Sequence, residues 1–432
     1  MFLANLLPRF QMIFDPGFAR FKRKVHDLFK SDPNYSRTKL RRFFRGIARG
    51  ERIVYHNDCY MVSSYLPPQA SQPFLTYIKG GTYPDQLFTS IAYMKRAAPL
   101  STYLCVTNAC HFDCVHCSAK NRRGKPSFKT AEWIGLIREI QNAGAAMIGF
   151  TGGEPVLRKD MEELISAVDD RSATILFTSG KDFTRERAVS FKKAGLDILS
   201  VSLDSADPDT HSYMRNDKKA FQYALNAIRF ARDAGLYVLV QPVVFKKELT
   251  KEKLFNLFRL VHKQGAHEVR IHQPVPSGIL LDTEDTREIF LTQADREHLF
   301  EIQNAANRRL WGFPKVSSFP FTESPEKFGC SAGMKHAYVT SDGELFPCDF
   351  LPLSFGNVME EGFKPVFDRM QRQMGIPKER CWTARLAPHI KGKTAPTNPE
   401  TSAKICQCIQ ASEYPRFYAD LQSSNDILPF NN

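Results

Sequence analysis

Short apolar runs alternate with amphipathic, helix-like segments along the middle of the chain, from residue 102 to about residue 309. The runs at 173–178 and 237–240 lack a polar residue at every second position, which is typical of strands covered on both faces. Repeated strand–helix units predict an α/β fold with a parallel sheet and right-handed crossovers. We predict strands at 102–107, 146–151, 173–178, 197–203, 236–244 and 267–273, and helices at 130–142, 159–169, 183–193, 218–234, 250–264 and 291–309.

The residues best suited to chemistry follow the predicted strands. In parallel barrels, catalytic groups gather at the carboxyl ends of the strands. A cysteine-rich loop follows the first predicted strand, a Gly-Gly-Glu-Pro segment follows the second, and a serine and an aspartate end the fourth. These residues are Cys110, Cys114, Cys117, Gly152, Gly153, Glu154, Ser202 and Asp204.

Cys110, Cys114 and Cys117 form a CxxxCxxC pattern. Thiolate is the soft ligand that iron–sulfur clusters take, and three thiolates can bind three corners of a cubane while the fourth iron stays open. A zinc site is the main alternative, although zinc sites usually pair CxxC units or Cys/His units. A chance group of buried thiols is the remaining alternative.

The CxxxCxxC loop and the Gly-Gly-Glu-Pro segment about 35 residues later together resemble the radical S-adenosylmethionine (radical SAM) superfamily. The resemblance implies a partial (β/α)6 TIM-like barrel, here over residues 101–310. It implies that the three cysteines hold a [4Fe-4S] cluster whose open iron is chelated by S-adenosylmethionine. In that superfamily, reduction cleaves the cofactor to a 5′-deoxyadenosyl radical.

Further residues match cofactor-binding motifs of that superfamily. Glu154 would accept a hydrogen bond from the methionine amine, beside two glycines that let the backbone approach a ligand closely. Ser202 and Asp204 resemble a strand-four motif that contacts the ribose or the carboxylate, and capping of the next helix is their alternative role. Arg215 stands where relatives often place an arginine near the methionine carboxylate.

The first 100 residues form a basic extension that the resemblance does not reach. The net charge of the chain is +13, and residues 1–52 carry thirteen Lys or Arg against four Asp or Glu. An apolar stripe at helical spacing predicts an amphipathic helix, which either packs on the barrel or binds a membrane surface. Nucleic acid is a poor match because no nucleic-acid-binding module is visible. A hairpin around Asn57 and Asp58 is predicted next. The stripe consists of Phe14, Phe18, Phe21, Val25 and Leu28.

A second group of five cysteines lies in residues 311–432. Cys330 and Cys348 stand just outside the two arms of a hairpin that is predicted around Asp342 and Gly343. This hairpin would bring their thiols together. A helix is predicted at 364–372. The segment 385–403, rich in Lys, Pro, Thr and Asn, is predicted to be a long loop. The five cysteines are Cys330, Cys348, Cys381, Cys406 and Cys408.

This arrangement resembles the SPASM domain, or its shorter twitch form, which follows many radical SAM barrels. The resemblance implies auxiliary [4Fe-4S] clusters, and because five cysteines cannot fully ligate two cubanes, we expect one. Cys330 and Cys348 would be ligands, completed by Cys381 and by one of Cys406 or Cys408. The chain lacks the closing CxxC-like pair that is common in twitch domains. A structural zinc ion at the same ligands is the alternative.

Both motifs together imply a radical SAM oxidoreductase or maturase. It would abstract a hydrogen atom from its substrate and use the auxiliary cluster in an oxidation or a cross-link. The substrate would be a peptide or a small molecule or, given the basic N-terminus, a lipid or membrane-associated molecule. A reductant such as flavodoxin or ferredoxin would supply electrons. A non-catalytic iron–sulfur electron carrier is the alternative from another class, but such a carrier would need no site for S-adenosylmethionine.

The sequence also bears on location. No apolar run approaches the roughly 18 residues that a spanning helix needs. The start of the chain is broken too early by Pro8 and Arg9 to resemble a signal peptide. Most of the cysteines fall in two clusters, which is not the pattern of a disulfide framework. We therefore expect a cytoplasmic protein, in contact with a membrane surface if residues 1–52 bind lipid.

Overall fold

A computed structural model of the chain describes residues 8, 11–120, 128–284, 286–309, 312–393, 396–408 and 410–423. The strands in this part of the chain are β1 Val54–His56, β2 Cys59–Met61, β3 Ser101–Thr107, β4 Met147–Gly152, β5 Ala173–Thr178, β6 Ile198–Val201, β7 Tyr237–Val240, β8 Glu268–Ile271, β9 Lys315–Ser318, β10 His336–Val339 and β11 Leu345–Phe346. Nine of these described strands form one sheet in the order β11-β10-β3-β4-β5-β6-β7-β8-β9. Only β11 pairs antiparallel, so the predicted parallel α/β fold is confirmed.

The helices lie before, between and after these strands. All six helices predicted for the barrel are present, and a further short helix, α8, follows β6. The described helices are α1 Pro16–Phe29, α2 Arg37–Ala48, α3 Gln72–Lys79, α4 Leu87–Ala92, α5 Thr130–Ala143, α6 Met161–Ser166, α7 Arg185–Ala194, α8 Pro208–Arg215, α9 Ala220–Asp233, α10 Lys251–Gln264, α11 Gln293–Asn307, α12 Phe319–Thr322, α13 Val358–Glu361, α14 Phe363–Met374, α15 Trp382–Ile390, α16 Pro399–Cys406 and α17 Arg416–Gln422.

The six predicted barrel strands are β3 to β8, and some end earlier than predicted. The strand predicted at 236–244 ends at Val240. Pro242 follows two residues later, and proline has no N–H to donate to a neighbouring strand, so the ladder is interrupted there. One isolated parallel bridge lies beyond it, in which the His272 N–H donates to the Pro242 carbonyl (2.8 Å) and the Val244 N–H donates to the His272 carbonyl (2.9 Å).

The sheet is buried on both faces, as the unbroken apolar runs predict. On the outer face, Leu176 of β5 belongs to the large core between the sheet and its helices. On the inner face, Ile175 of the same strand packs with Tyr237, Leu239 and Met61. Because Met61 comes from β2, the N-terminal hairpin covers part of the barrel interior. That hairpin is confirmed, with Asn57 and Asp58 at its turn, both at positive φ.

The apolar stripe of the N-terminal segment packs inside the protein. Phe18, Phe21 and Val25 of α1 are buried in a second core, together with aromatic residues of α2, α3, α4 and α17. Phe14, at the start of the stripe, is 75% exposed. The predicted helix is confirmed, and most of its apolar face is covered by this chain.

A buried ionic contact ties the N-terminal extension to the sheet. The Glu51 carboxylate lies 3.3 Å from Nζ of Lys315 on β9 and 3.4 Å from Nζ of Lys327. All three side chains are completely buried, so the two cations offset a charge that would otherwise be costly to bury.

The strands after residue 311 extend the barrel sheet. β9 pairs parallel with β8 at one edge, and β10 pairs parallel with β3 at the other. The predicted hairpin is confirmed as β10 and β11, and the helix predicted at 364–372 is α14.

The prediction of a long loop at 385–403 is wrong. Helix α15 runs through Ile390, and α16 begins at Pro399 with Asn398 as its N-cap. Asparagine before a proline at the first helical position is a strong start signal, which the polar composition of the segment hides.

None of the helices that the structure describes has the length and apolar character needed to cross a bilayer.

Candidate active site

One cavity of about 360 Å³ extends from the carboxyl ends of the strands into the barrel interior. The predicted cofactor residues Gly152, Gly153, Glu154, Ser202 and Arg215 line it. Cysteines of both groups also line it, and these are Cys110, Cys114, Cys117, Cys330, Cys348 and Cys381. The fold therefore brings two motifs more than 200 residues apart to the same space.

The first cysteine loop is held from two sides. The backbone N–H of Val115 donates to the carbonyl of Met214 at the end of α8 (3.1 Å), and the carbonyl of Cys117 accepts from the N–H of Ile279 (3.1 Å). The three cysteines pack around Phe112, which is 2% exposed. These contacts anchor the backbone of the loop that carries the three thiols.

The two glycines pack directly against the backbone that leads into the cysteine loop. A Cβ on Gly152 would lie 2.2 Å from the carbonyl oxygen of Thr107, and one on Gly153 would lie 2.2 Å from that of Ala109. Gly152 also has φ +134°, a region that favours glycine. The backbone N–H of Gly153 donates to Thr107 (2.7 Å), so the Gly-Gly turn and the loop form one rigid unit.

Glu154 is buried at the cavity wall, 2% exposed. Its Oε2 accepts from the Ser179 N–H (2.8 Å) and from the Ser179 hydroxyl, and its Oε1 accepts from the Val156 N–H (3.4 Å). Burial raises the pKa of this carboxyl, against the opposing effect of these donors. No cation neutralises it among the described residues, so the site suits an ammonium group from a ligand.

Arg215 and Asp204 form a buried bidentate ion pair. The guanidinium donates from Nε to Oδ2 (2.7 Å) and from Nη2 to Oδ1 (2.9 Å), and its Nη1 lies 3.8 Å from Sγ of Cys114. Burial disfavours the charge on Asp204, but Arg215 and His211 outweigh it and hold the pKa of the carboxyl well below its usual range. Arg215 lines the cavity and Asp204 does not, so Asp204 orients the arginine from behind.

The second cysteine group is buried beside the same cavity. Burial raises the pKa values of Cys330, Cys348 and Cys381, and the three thiols interact electrostatically. Among the described residues, no three Cys, His, Asp or Glu side chains converge as they do around a single metal ion. Three cysteine thiols are a donor set that either an iron–sulfur cluster or a structural zinc ion can take.

The two last cysteines differ in their surroundings. Cys406 is 4% exposed, and burial raises its pKa to about 11, whereas Cys408 is exposed after the end of α16. Neither lines the cavity. The link between Cys406 and the other thiols is Lys378, which interacts electrostatically with Cys330, Cys348 and Cys406. This lysine is fully buried, and its carbonyl accepts the N–H of Cys330 (2.9 Å).

The residues present fit the two clusters and the cofactor that the sequence implies. The donors facing the cavity in each cysteine group are three thiols, the ligand type that iron–sulfur clusters take. Buried polar atoms that line the cavity lack hydrogen-bond partners among the described residues, as expected of a wall that meets a polar ligand. These are Ser64 Oγ, Tyr65 OH, His116 Nδ1 and Thr322 Oγ1.

Several charged residues of the cavity were not predicted. Arg270 of β8 lines the interior, as do Glu323 and Lys335, and the imidazole of His336 lies 2.9 Å from the Asp349 carboxylate. Only Arg270 has a clear sequence signal. In Glu268-Val-Arg270-Ile, charged residues alternate within a strand buried on both faces, which indicates polar groups inside the barrel.

Two family models match the chain. The model of the radical SAM superfamily matches residues 104–261, and that of an iron–sulfur cluster-binding (SPASM) domain matches residues 330–386. The first spans strands β3 to β7 with the cysteine loop and the Gly-Gly-Glu segment, and the second contains Cys330, Cys348 and Cys381.

Curated relatives match a larger part of the chain. An AdoMet-dependent heme synthase of Methanosarcina barkeri is 26% identical over 300 residues, which is 63% of this chain and 84% of the relative. A protein of the same name from Nitratidesulfovibrio vulgaris is 25% identical over 311 residues, covering 66% of this chain and 82% of the relative.

Solved structures show the same fold. SuiB of Streptococcus suis, bound to its precursor peptide SuiA, superposes with a TM-score of 0.52 at 16% identity and covers 65% of this chain and 67% of SuiB. Native anSMEcpe with bound AdoMet and the Kp18Cys peptide superposes with a TM-score of 0.52 at 17% identity. The match covers 75% of this chain and 94% of anSMEcpe. At these identities the likeness concerns the fold alone.

Proposed function

Because the chain belongs to the radical SAM superfamily and carries a C-terminal SPASM-type domain, we propose that it is an oxidoreductase acting on a substrate in the cavity between its two cysteine groups. The observation that carries this proposal is the shared cavity, which thiols of both groups, Glu154 and Arg215 line together. When bound, the first cluster and S-adenosylmethionine would supply a 5′-deoxyadenosyl radical that can take a hydrogen atom from an unactivated C–H bond.

The residues around the first cysteine loop would each contact a different part of the cluster or of S-adenosylmethionine. Cys110, Cys114 and Cys117 would bind three irons of the cluster. The buried carboxylate of Glu154 would accept from the amino group of S-adenosylmethionine, since that cation would offset its charge. Arg215, oriented by Asp204, would face the cofactor's carboxylate. Ser202 lines the same wall, where it would contact the ribose or the carboxylate.

Cys330, Cys348 and Cys381 would hold the auxiliary cluster, which would supply an electron acceptor beside the substrate. These thiols have raised pKa values, so binding of a cluster would displace their protons. The N-terminal extension contributes Tyr65 and Leu66 to the cavity wall, and this cover would keep water from a reactive radical.

The comparisons support a small molecule or a peptide as the substrate. A tetrapyrrole is the first class to test because the curated relatives are named AdoMet-dependent heme synthases. A peptide is the second, because SuiB and anSMEcpe were solved with peptides.

Anaerobic reconstitution followed by incubation with dithionite and S-adenosylmethionine tests the mechanism. We expect about eight irons per chain, two cubanes of four, together with 5′-deoxyadenosine. Cys110→Ala should abolish 5′-deoxyadenosine formation, and Cys330→Ala should lower the iron content. Cys59→Ala is the matched control, since Cys59 lies on β2 and does not line the cavity.

Two outcomes would overturn the proposal. Full iron loading without 5′-deoxyadenosine would indicate an electron carrier. About four irons with bound zinc and no 5′-deoxyadenosine would leave the barrel fold in place and remove the mechanism.

A further inference from the structure

Arg270 is a buried cation that faces the cavity without a carboxylate partner among the described residues. It lies on β8, is 3% exposed and lines the cavity wall. Its Nη1 donates to the Ser64 carbonyl (3.1 Å). When the oxygen and nitrogen of the Gln241 carboxamide are exchanged, both atoms have hydrogen-bond partners. In this orientation the Gln241 oxygen accepts from Nε and Nη2 of Arg270, each at 2.9 Å. Both hydrogen-bond partners are neutral, and in the described part of the chain Glu268 acts on the guanidinium only from beyond salt-bridge distance.

The nearest acidic residue on the same strand is already occupied. The Glu268 carboxylate accepts from Lys315 Nζ (3.0 Å), Ser317 Oγ (2.7 Å) and Tyr237 OH (2.9 Å). These donors surround it two residues before Arg270 on β8, next to the Glu51 network. A buried charge is normally paired, because desolvation without a counterion is costly. The cavity side of Arg270 therefore suits an anion from outside the chain.

Two further polar groups near the guanidinium lack partners. Ser64 Oγ and Tyr65 OH both line the cavity, and neither has a hydrogen-bond partner in the described part of the chain. Ser64 is 3% exposed, and its carbonyl holds Arg270. The Tyr65 ring lies 4.9 Å from the guanidinium carbon. Three of the five guanidinium N–H groups are used by Ser64 and Gln241, which leaves two for Tyr103 and a ligand.

Lys335 is another cation of the cavity wall, and it is less suited to hold an anion because the buried Glu323 carboxylate already acts on it. Its Nζ donates to the Phe328 carbonyl (3.2 Å) and to the Tyr418 hydroxyl (2.5 Å). Burial lowers the pKa of Lys335 to about 7, so much of its population is neutral near neutral pH. A guanidinium stays charged at any working pH.

We propose that Arg270, Ser64 and Tyr65 form a subsite for a carboxylate of the substrate. The remaining guanidinium N–H and the two unpartnered hydroxyls can donate to the oxygens of one carboxylate. The single positive charge of Arg270 matches one carboxylate, whereas a phosphate would bring up to two negative charges. The inference rests on the proposed function, since it names the chemical class that the same cavity binds. It also assigns the N-terminal extension a part in substrate selection.

Acetate and its neutral isostere acetamide test the subsite. The probes, labelled with ¹³C, are titrated into the anaerobically reconstituted full chain with saturating S-adenosylmethionine and no reductant, and line broadening reports binding. The bound cofactor fills the site for its own carboxylate. We expect acetate to bind at least about tenfold more tightly than acetamide, which corresponds to about 1.4 kcal/mol. Arg270→Gln should lose this preference, and Tyr65→Phe should weaken acetate binding severalfold.

Lys335→Met is the matched control because it removes the other cavity cation. The proposal is overturned if acetate and acetamide bind alike, if acetate binds only without S-adenosylmethionine, or if Lys335→Met rather than Arg270→Gln abolishes binding. Should Arg270→Gln fail to fold, unchanged acetate affinity in both Tyr65→Phe and Ser64→Ala would overturn it. The readout does not depend on cofactor cleavage, so absent 5′-deoxyadenosine would count against the proposed function only.

Discussion

At the scale of single residues, Gly153 is where the barrel backbone and the cysteine loop come closest. Its Cα hydrogen faces the Ala109 carbonyl, and an added Cβ would lie 2.2 Å from that oxygen and 2.7 Å from its carbon. Both are backbone atoms, so a side-chain rotation cannot relieve the clash. Ala109 precedes Cys110, and any shift that makes room for a methyl group moves the first thiol.

Gly153→Ala should therefore impair the first cluster. We expect a lower iron content after reconstitution and at least about tenfold less 5′-deoxyadenosine, since small displacements of reacting groups reduce rates strongly. Gly135→Ala on α5 is the matched control. No atom lies within 4 Å of its added Cβ, and alanine at this exposed helix position should stabilise the fold by roughly 0.5–1 kcal/mol. A Gly153→Ala protein with full iron and full cleavage would contradict the steric argument.

Iron counting on single variants can also show which of Cys406 and Cys408 is a ligand of the auxiliary cluster. We expect Cys406→Ser to lower the iron content of the auxiliary site and Cys408→Ser to leave it unchanged. The buried Cys406 shares Lys378 with Cys330 and Cys348, whereas Cys408 is exposed. Iron and sulfide counts on Cys110→Ala backgrounds would report the auxiliary site alone. Loss of iron from Cys408→Ser only would reverse the assignment.

At the scale of elements, helices α1 and α2 belong to the core of the protein. Phe29 of α1 and Phe43 of α2 are completely buried and meet edge to face, with their ring centroids 6.0 Å apart. Phe29→Ala should lower the free energy of unfolding by about 3–5 kcal/mol, measured by denaturant titration. Phe14→Ala, at a 75% exposed position, should change it by less than about 1 kcal/mol. Equal effects of the two substitutions would mean that α1 is not docked as described.

The membrane hypothesis needs a test that spares this core. Removal of residues 1–52 would delete α1, α2 and Glu51, and would be expected to unfold the chain. Arg20, Arg23 and Lys24 are exposed, so their triple replacement by Glu reverses charge without touching the core. Since the apolar stripe is covered, we expect any sedimentation with anionic vesicles to be electrostatic, and to be lost in the triple variant and at high salt. Salt-resistant binding would favour insertion of the exposed Ile13 and Phe14, which precede α1.

The elements that were predicted correctly are those whose sequence pattern lies within a few neighbouring residues. Strands β3 to β8 are short apolar runs, and the cysteine motif lies within eight residues. β9 was missed because Lys315 and Ser317, polar in sequence, are stabilised inside the barrel by Glu268 from another strand. The unpaired charge of Arg270 likewise depends on which side chains the fold brings near it, and residue types alone do not determine that.

At the scale of the whole molecule, buried neutral histidines make stability depend on pH. Burial, and secondly His56, lower the pKa of His267 to about 4. Its Nδ1 accepts the Val238 N–H (3.0 Å), which requires an unprotonated nitrogen. Between pH 6.5 and about 4 the unfolded chain therefore binds more protons than the folded one, and stability falls as the pH falls.

His267→Asn should flatten this dependence. We expect the parent to lose up to about 3 kcal/mol more than the variant between pH 7 and pH 4, in guanidinium titrations at each pH. His298→Asn, at an exposed position on α11, is the control and should follow the parent. Parallel pH profiles for the parent and His267→Asn would show that His267 does not contribute.

The pairing of β10 with β3 limits how the protein can be taken apart. His336 aligns with Ser101 and Val339 with Leu104, so the strand between the auxiliary cysteines is bonded to the strand that leads into the first cysteine loop. A chimera that exchanges residues 330–386 for those of a relative would have to reproduce this ladder, since a slip of one residue turns every side chain of β10 to the opposite face. The C-terminal region is thus not a module on a tether. Natural or engineered changes to this region must preserve the edge of the barrel. The register of β10 on β3 sets the spacing between the two cysteine groups.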